Sequence, residues 1–137
     1  MKTIELTTQE VLNLYVELAG NPAFKGIISL DIPFVTRYRI NRLLKNLEET
    51  KETFSKTQEE CIKRYGVEDE KQNWSIPKMI IEDEKEIENP NYVLAFSEIN
   101  KILDEKVTVE YILSLEDFSE VKHTENHFAI LFKLLEN

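Results

Sequence analysis

The stretch from Phe34 to Tyr65 most constrains how this chain folds, because it contains neither glycine nor proline and Gly66 follows it directly. Apolar residues recur along it at steps of three and four, the period of one face of an α-helix. They are Ile40, Leu43, Leu44, Leu47, Phe54, Cys61, Ile62 and Tyr65. A continuous helix would be about 48 Å long at ~1.5 Å per residue. The pattern predicts one long central helix whose second half, where Phe54 stands nearly alone, is exposed or contacts a partner.

Shorter segments outside the long helix add strands and helix starts. Residues 2–6 alternate as the start of a strand does, and Thr7 with Glu10 has the spacing of a capping box that opens a helix. Residues 106–112, KVTVEYI, alternate most regularly and predict the best strand of the chain. Together these segments predict an α+β fold, mostly helical, with one long central helix and a small β-sheet or ribbon.

The region that follows the long helix predicts a turn and short strands. Residues 66–74, GVEDEKQNW, lack the ligand spacing of a calcium loop, which needs a glycine at the sixth place and a glutamate at the twelfth. We expect a turn that enters a β-ribbon, with Trp74 and Ile76 as its inward residues. Residues 79–81 predict a second short strand before an acidic run.

Two further helices are predicted in the second half of the chain. Asn89-Pro90 is a helix start, and this helix is expected to end near Asp104 and to have one apolar face. That face comprises Val93, Leu94, Phe96, Ile99, Ile102 and Leu103. The last residues, 127–137, are strongly apolar and predict a terminal helix that packs on the rest of the fold.

Length and composition predict a single domain over residues 1–137, since 42% of the side chains are apolar and one modest core suits this size. The lone cysteine, Cys61, excludes an intramolecular disulfide and fits a reducing, cytosolic compartment. The amino terminus, MKTIELTTQE, has no apolar signal region. No apolar run approaches the ~20 residues of a membrane-spanning helix, so no membrane association is expected.

Charge is segregated along the chain. The net charge is −9, which argues against a general nucleic-acid binder, since attraction to phosphate needs surplus positive charge. Residues 31–65 carry eight basic and six acidic side chains, whereas residues 66–88 carry three basic and eight acidic ones. The chain is therefore bipolar, with a basic segment followed by an acidic one.

Two charged clusters are the predicted binding faces. The basic cluster lies on the side of the long helix opposite its apolar stripe, in a stretch without acidic residues. It comprises Arg37, Arg39, Arg42 and Lys45. The acidic cluster comprises Glu82, Asp83, Glu84, Glu86 and Glu88. Two interpretations stay open for each cluster: a docking face, or an ordinary solvent-exposed surface.

The candidate catalytic residues do not assemble into a known motif. His123 and His127 are four residues apart, but the metalloprotease pattern H-E-x-x-H has its glutamate directly after the first histidine, where this chain has Thr124. Cys61 lies on the apolar stripe of the long helix, the usual place of a small buried thiol. We expect no enzyme activity, no cofactor and no bound metal, with a metal-dependent enzyme through the two histidines as an alternative.

The order of the sequence segments resembles small proteins of tailed phages and prophages, a phage domain family of unknown function. The resemblance rests on RYRINRLLKNLEE, CIKRYG, the charged turn VEDE, INKILDEKVTVE and LEDF, and covers roughly residues 34–118. Members often have a glycine–asparagine turn where this chain reads DEKQN. The resemblance implies a phage accessory or virion-associated protein that works in the cytoplasm of a bacterial host.

These observations predict a non-enzymatic protein–protein interaction module. Its partner is expected to be a host protein, a phage structural protein or a second copy of the chain, with no direct contact to nucleic acid. The alternative is an acidic inhibitor of a host nucleic-acid-binding or defence enzyme, which would imitate the phosphate backbone with its acidic cluster and with Glu68, Asp69 and Glu70.

Overall fold

A computed structural model describes residues 1–119 and 128–137 of the chain. In chain order its elements are β1 (Lys2–Thr7), α1 (Thr8–Ala19), a 3-10 turn (Ile27–Ser29), α2 (Phe34–Tyr65), β2 (Val67–Glu68), β3 (Trp74–Ser75), β4 (Met79–Glu82), β5 (Lys85–Glu88), α3 (Pro90–Leu103), β6 (Lys106–Tyr111), a second 3-10 turn (Leu115–Phe118) and α4 (Ala129–Leu135). The predicted α+β fold, mostly helical with one long helix and small antiparallel sheets, is confirmed.

The chain divides into two compact units. Unit 1 consists of Met1–Lys51 and Glu105–Asn137, and unit 2 consists of Glu52–Asp104. The first part of α2 therefore belongs to unit 1 and the rest to unit 2. The expectation of a single domain over residues 1–137 stays a prediction.

Unit 1 is built around the antiparallel pair of β1 and β6. Its register runs from Lys2 opposite Tyr111 to Thr7 opposite Lys106. Because side chains alternate along a strand, the apolar residues of β1 lie on the same face as those of β6. The strand predicted over residues 106–112 is confirmed and ends one residue earlier, at Tyr111.

The predicted capping box at the start of α1 is also confirmed. The Thr7 hydroxyl accepts a hydrogen bond from the Glu10 backbone N–H at 3.1 Å, and the Glu10 carboxylate accepts one from the Thr7 N–H at 3.0 Å. The helix ends at Gly20, whose φ of 82° suits a glycine. The neighbouring Gly26 packs so closely that a Cβ on Gly20 would lie 2.6 Å from its backbone nitrogen.

The hydrophobic core lies entirely in unit 1. α2 contributes Ile40, Leu43 and Leu47, which are on one face at steps of three and four residues. The other buried members of the core are Leu6, Val11, Leu14, Leu18, Ile27, Ile32, Val109, Tyr111, Leu113, Phe128, Leu131, Leu134 and Leu135. The terminal helix predicted over residues 127–137 is observed as α4 and supplies three of them.

Polar groups in the core of unit 1 are paired. The Tyr111 hydroxyl donates a hydrogen bond to the Leu134 carbonyl at 2.7 Å. The buried Glu17 carboxylate accepts hydrogen bonds from the backbone N–H groups of Ile130 and Leu131 at 3.0 and 3.3 Å. Burial raises the pKa of Glu17, while these two N–H groups oppose the shift.

In unit 2, residues 66–74 form the predicted turn and ribbon. β2 and β3 pair antiparallel over two residues each, with Glu68 opposite Trp74. The turn between them is held by Asp69, whose carboxylate accepts hydrogen bonds from the backbone N–H groups of Lys71 and Asn73 at 2.8 and 2.9 Å. The inward placement predicted for Trp74 is wrong, because this side chain is 39% exposed; Ile76 is half-buried.

The strand predicted over residues 79–81 is confirmed and pairs with a strand that the sequence did not predict. β4 and β5 form a hairpin with Ile80 opposite Ile87. Its two turn residues, Asp83 and Glu84, have φ values of 52° and 62°. Positive φ at both central residues is typical of the two-residue turns that match the twist of a hairpin.

The helix predicted after Asn89-Pro90 is confirmed as α3. The Asn89 side chain caps it by accepting a hydrogen bond from the Asn91 N–H at 3.1 Å, and its amide donates to the Pro77 carbonyl at 2.7 Å. The expectation of a single apolar face is corrected. Ile99, Ile102 and Leu103 are half-buried, whereas three predicted members are 48 to 59% exposed. These three are Val93, Leu94 and Phe96.

Candidate interaction surfaces

Arg37, predicted for the basic binding face, is used within unit 1. Its guanidinium donates hydrogen bonds to the carbonyl oxygens of Ile28 and Leu30, at 2.6 and 3.3 Å. Both carbonyls lie in or directly after the first 3-10 turn. Arg37 therefore holds this connection against the start of α2.

Arg39 is also bound within unit 1. Its guanidinium lies 2.7 Å from the carboxylate of Asp117, a side chain that is only 7% exposed. The second carboxylate oxygen of Asp117 accepts a hydrogen bond from the Ser114 backbone N–H at 2.8 Å. The capping interaction and the ion pair thus use the two oxygens of one carboxylate, and Arg39 stabilises the second 3-10 turn.

The two remaining basic residues, Arg42 and Lys45, stay exposed beside apolar side chains. Phe34 is 85% exposed, Val35 60% and Tyr38 62%. Phe34, Tyr38 and Arg42 follow at four-residue steps and share one side of the helix. The Arg42 guanidinium lies 6.0 Å from the centre of the Tyr38 ring. We define the α2 face as Phe34, Val35, Tyr38, Arg42 and Lys45.

The five predicted acidic residues do not share one surface. Residues directly opposite each other in an antiparallel pair point to the same side of the sheet. Glu88 is opposite Met79 and Glu86 is opposite Ile81, so these four side chains share one side of the β4–β5 hairpin. Glu82 is opposite Lys85 on the other side, and Asp83 and Glu84 form the turn. We define the hairpin face as Met79, Ile81, Glu86 and Glu88.

The hairpin face combines charge with exposed apolar surface. Ile81 is 80% exposed and Met79 is 43% exposed, and both acidic partners are exposed. Elsewhere in unit 2, α3 exposes Phe96, whose ring stacks on that of Tyr92 with 6.4 Å between centres and 11° between planes. Within residues 52–104, the one buried apolar side chain is Ala95. Unit 2 therefore carries apolar surface that it does not bury itself.

Two grooves, one in each unit, are lined by side chains of both charges. One, in unit 2, is lined by Trp74, Ile62 and polar residues that include Gln58, Glu68 and Lys63. The other, in unit 1, is lined by Arg39 and Arg42 together with Glu110 and Tyr111. Neither groove presents the uniformly basic lining that a phosphate backbone requires.

Of the residues considered for catalysis, Cys61 lies in the part of the chain that the structure describes. Cys61 is half-buried, and burial together with the nearby Glu98 carboxylate raises the pKa of its thiol. A thiol with a raised pKa is protonated at neutral pH and is a poor nucleophile. His123 and His127, the alternative metal ligands, lie outside the described residues.

Two negative observations hold for residues 1–119 and 128–137. No group of three or more histidine, cysteine, aspartate or glutamate side chains is placed to hold a metal ion. None of the helices there combines the length and the apolar character needed to cross a membrane.

Sequence signals existed for part of these surfaces. The basic residues of α2 and the acidic residues after β4 were visible as charge runs, but the exposed Phe34, Tyr38 and Ile81 had no distinguishing signal. Comparison with protein-family models, curated proteins and solved structures found no match to this chain. The resemblance to phage proteins accordingly stays a prediction.

Proposed function

We propose that this protein is a non-enzymatic protein–protein interaction module that binds its partner through the apolar and acidic surface of unit 2. The observation that carries the proposal is the exposure of large apolar side chains in a unit whose one buried apolar side chain is Ala95. These side chains are Val67, Trp74, Met79, Ile81, Val93, Leu94 and Phe96. Exposed apolar residues are common singly, but a unit that exposes seven of them and buries a single apolar side chain has little core of its own, which favours contact with another molecule.

The exposed apolar side chains of unit 2 supply a share of the free energy of binding. Burying a large apolar side chain contributes ~1.5–3 kcal/mol relative to leaving it exposed. Three such side chains, for example Ile81, Leu94 and Phe96, would together offset a substantial share of the ~4–15 kcal/mol that association costs in lost freedom of motion. A micromolar complex, which requires a net free energy of about −8 kcal/mol, therefore needs more of the seven exposed side chains to be buried than these three.

The charge of unit 2 restricts the kind of partner. Residues 52–104 carry thirteen acidic and seven basic side chains, a net charge of −6. Two of the acidic groups, Glu86 and Glu88, lie beside Ile81 and Met79 on the hairpin face. A partner with basic residues around an apolar centre would match this face in both respects.

The sequence resemblance supplies a biological context for the proposal. It implies a phage accessory or virion-associated protein in the bacterial cytoplasm, whose partner is a host protein, a phage structural protein or a second copy of the chain. Substitutions on the exposed surface of unit 2 are then expected to abolish binding of this partner.

The proposal is tested by affinity capture from the cells that produce the protein, with identification of bound proteins by mass spectrometry. The test variant is Ile81→Ser/Phe96→Ser, which removes two exposed apolar side chains of unit 2. The matched control is Leu115→Ser/Phe132→Ser, because Leu115 and Phe132 are 63% and 46% exposed but belong to unit 1. We expect partners, including further copies of the chain, that the control retains and the test variant loses. Equal binding by both variants would disprove the proposal.

Charge mimicry of nucleic acid is a second candidate, favoured by the net charge of unit 2. The division of the acidic cluster between two sides of a hairpin and its turn supports it less, because a mimic benefits from a continuous acidic surface. Mimicry predicts that excess DNA or RNA displaces the protein from its target and that binding weakens steeply with salt. Undiminished binding in excess nucleic acid would disprove it.

A further inference from the structure

We infer that the hairpin face binds a second copy of this chain, which docks there with its α2 face. The inference rests on the proposed function, since it names the occupant of the same unit 2 surface. Every copy of the chain carries both halves of the contact, the α2 face in unit 1 and the hairpin face in unit 2.

Opposite charges on the two faces support this pairing. The α2 face carries Arg42 and Lys45, and the hairpin face carries Glu86 and Glu88. All four side chains are exposed, and no ion pair joins any of them to another side chain that the structure describes. Contact between the faces would bring two basic groups near two acidic groups, which favours the correct orientation of the complex.

The apolar parts of the two faces are equally matched. The α2 face offers Phe34 and Tyr38, and the hairpin face offers Met79 and Ile81. Four residues of helix advance about 6 Å along its axis at ~1.5 Å per residue, and alternate residues of a strand are about 6.6 Å apart. The two aromatic rings of one copy therefore match the spacing of the two aliphatic side chains of the other.

The arrangement within each face also allows the charged and apolar parts to meet together. On the hairpin face, the acidic row of β5 lies one strand spacing, about 4.8 Å, from the apolar row of β4. On the α2 face, Arg42 and Lys45 lie one to two turns beyond Tyr38. A helix that lies along β4 sets its two rings over Met79 and Ile81, and the long side chains of Arg42 and Lys45 can extend sideways from it toward the acidic row of β5.

The contact joins two different faces, which determines how copies assemble. If each of two copies gives both faces to the other, the assembly closes as a dimer with two equal contacts. If the rotation does not close, copies add head to tail into longer chains. In either case the average mass rises with protein concentration.

Sedimentation of the full chain over a wide concentration range tests the inference. We expect the wild type to self-associate, and the charge-reversed variant Arg42→Glu/Lys45→Glu to associate about tenfold or more weakly, because like charges then oppose each other. The complementary variant Glu86→Lys/Glu88→Lys should be weakened to a similar extent. The control Lys56→Glu/Lys71→Glu lowers the net charge as much as Arg42→Glu/Lys45→Glu does, but at exposed sites outside both faces. It should associate as the wild type does.

Mixing the two charge-reversed variants provides the decisive step. One retains the native hairpin face and the other the native α2 face, so the mixture should regain the mass that each variant lacks alone. Combining all four substitutions in one chain should also restore association with the charges exchanged. Failure of both rescues would overturn the inference, as would a wild type that stays monomeric at every concentration.

The outcomes separate this inference from the proposed function. If Ile81→Ser/Phe96→Ser abolishes self-association while the charge reversals leave it unchanged, unit 2 binds another surface of the second copy, and only the assignment of the α2 face is wrong. If the wild type is monomeric but Ile81→Ser/Phe96→Ser loses a different captured protein, the second copy is the wrong occupant and the proposed function stands. Wild-type association that neither set of substitutions affects would contradict both.

Discussion

Units 1 and 2 use their apolar residues in opposite ways. Unit 1 buries leucines and other large side chains from its helices, both strands of its sheet and its loops in one core. Unit 2 buries Ala95 alone among its apolar side chains, while Ile81 and Phe96 are more than half exposed. The difference shows that unit 1 has a hydrophobic core of its own, whereas unit 2 leaves large apolar side chains exposed. The apolar surface of unit 2 is available for another molecule, which is the basis of the proposed function.

The largest difference in stability is expected between truncating a buried aliphatic side chain of unit 1 and truncating an exposed one of unit 2. Leu14→Ala in unit 1 should lower the free energy of unfolding by about 2–5 kcal/mol, because Leu14 is fully buried and leaves a cavity. Ile81→Ala in unit 2 should change it by no more than about 0.5 kcal/mol, because Ile81 is 80% exposed. Urea unfolding followed by circular dichroism measures both, and similar losses would break the comparison.

A smaller effect is expected from the arginines of α2, which the sequence placed in one cluster. Arg39→Ala should cost about 1.5–3 kcal/mol, because it leaves the nearly buried carboxylate of Asp117 without its cationic partner. Arg42→Ala should cost no more than about 0.5 kcal/mol, since Arg42 is exposed. The same unfolding measurement compares them, and equal losses would contradict the assignment of Arg39 to the fold and Arg42 to the α2 face.

The hairpin turn of unit 2 offers a way to stabilise the less complete unit. Glu84→Gly should raise the free energy of unfolding of unit 2 by about 0.5–1 kcal/mol. Glycine relieves ~1–2 kcal/mol of backbone strain at the φ of 62°, and this outweighs the greater freedom that glycine gives the unfolded chain. Trp74 is the single tryptophan and lies in unit 2, so its fluorescence during urea unfolding reports on this unit. The control Lys71→Gly, in a turn position without positive φ, should lose stability, and a gain there would refute the explanation.

The smallest effects concern pH and two glutamates of unit 1. Burial raises the pKa of Glu17 above its ordinary value of 4.5, whereas the Lys133 ammonium and the Thr7 N–H lower that of Glu10. Glu17 therefore contributes stability below pH 4.5 that is lost as the pH rises through its folded pKa. Glu10 contributes stability above pH 4.5 that is lost as the pH falls through its folded pKa.

Unfolding of the two Gln variants at acidic and neutral pH tests these directions. As the pH rises from below 4.5 to neutral, Glu17→Gln should become more stable relative to the wild type, and Glu10→Gln less stable. Parallel shifts of the two variants would show that the environments of these carboxylates are misassigned.

Local signals predicted much of the fold. The absence of glycine and proline from Phe34 to Tyr65 identified α2, and the capping box at Thr7 identified the start of α1. The strand β5 was missed because its turn, Asp83-Glu84, has neither glycine nor asparagine, although both residues adopt positive φ. The acidic run therefore resembled an exposed segment and not half of a hairpin.

The surfaces were harder to predict because they depend on contacts between residues far apart in the chain. Arg39 pairs with Asp117, 78 residues away, and Arg37 is bound by carbonyls that no charge pattern reveals. The exposure of Phe34 and Phe96 likewise depends on which helix face the rest of the unit covers. A sequence pattern marks a residue as apolar or basic, but only packing decides whether it remains available for a partner.

Hydrogen exchange on the dilute full chain, where self-association is minimal, tests most directly the claim that unit 1 is complete alone and unit 2 is not. Amides in the core elements of unit 1, such as those of Leu14, Leu18 and Val109, should exchange only through global unfolding. Amides of β4, β5 and α3 should exchange much faster, through local opening, and should become slower when the partner binds. Equal, globally limited protection of both units in the dilute chain would contradict the account.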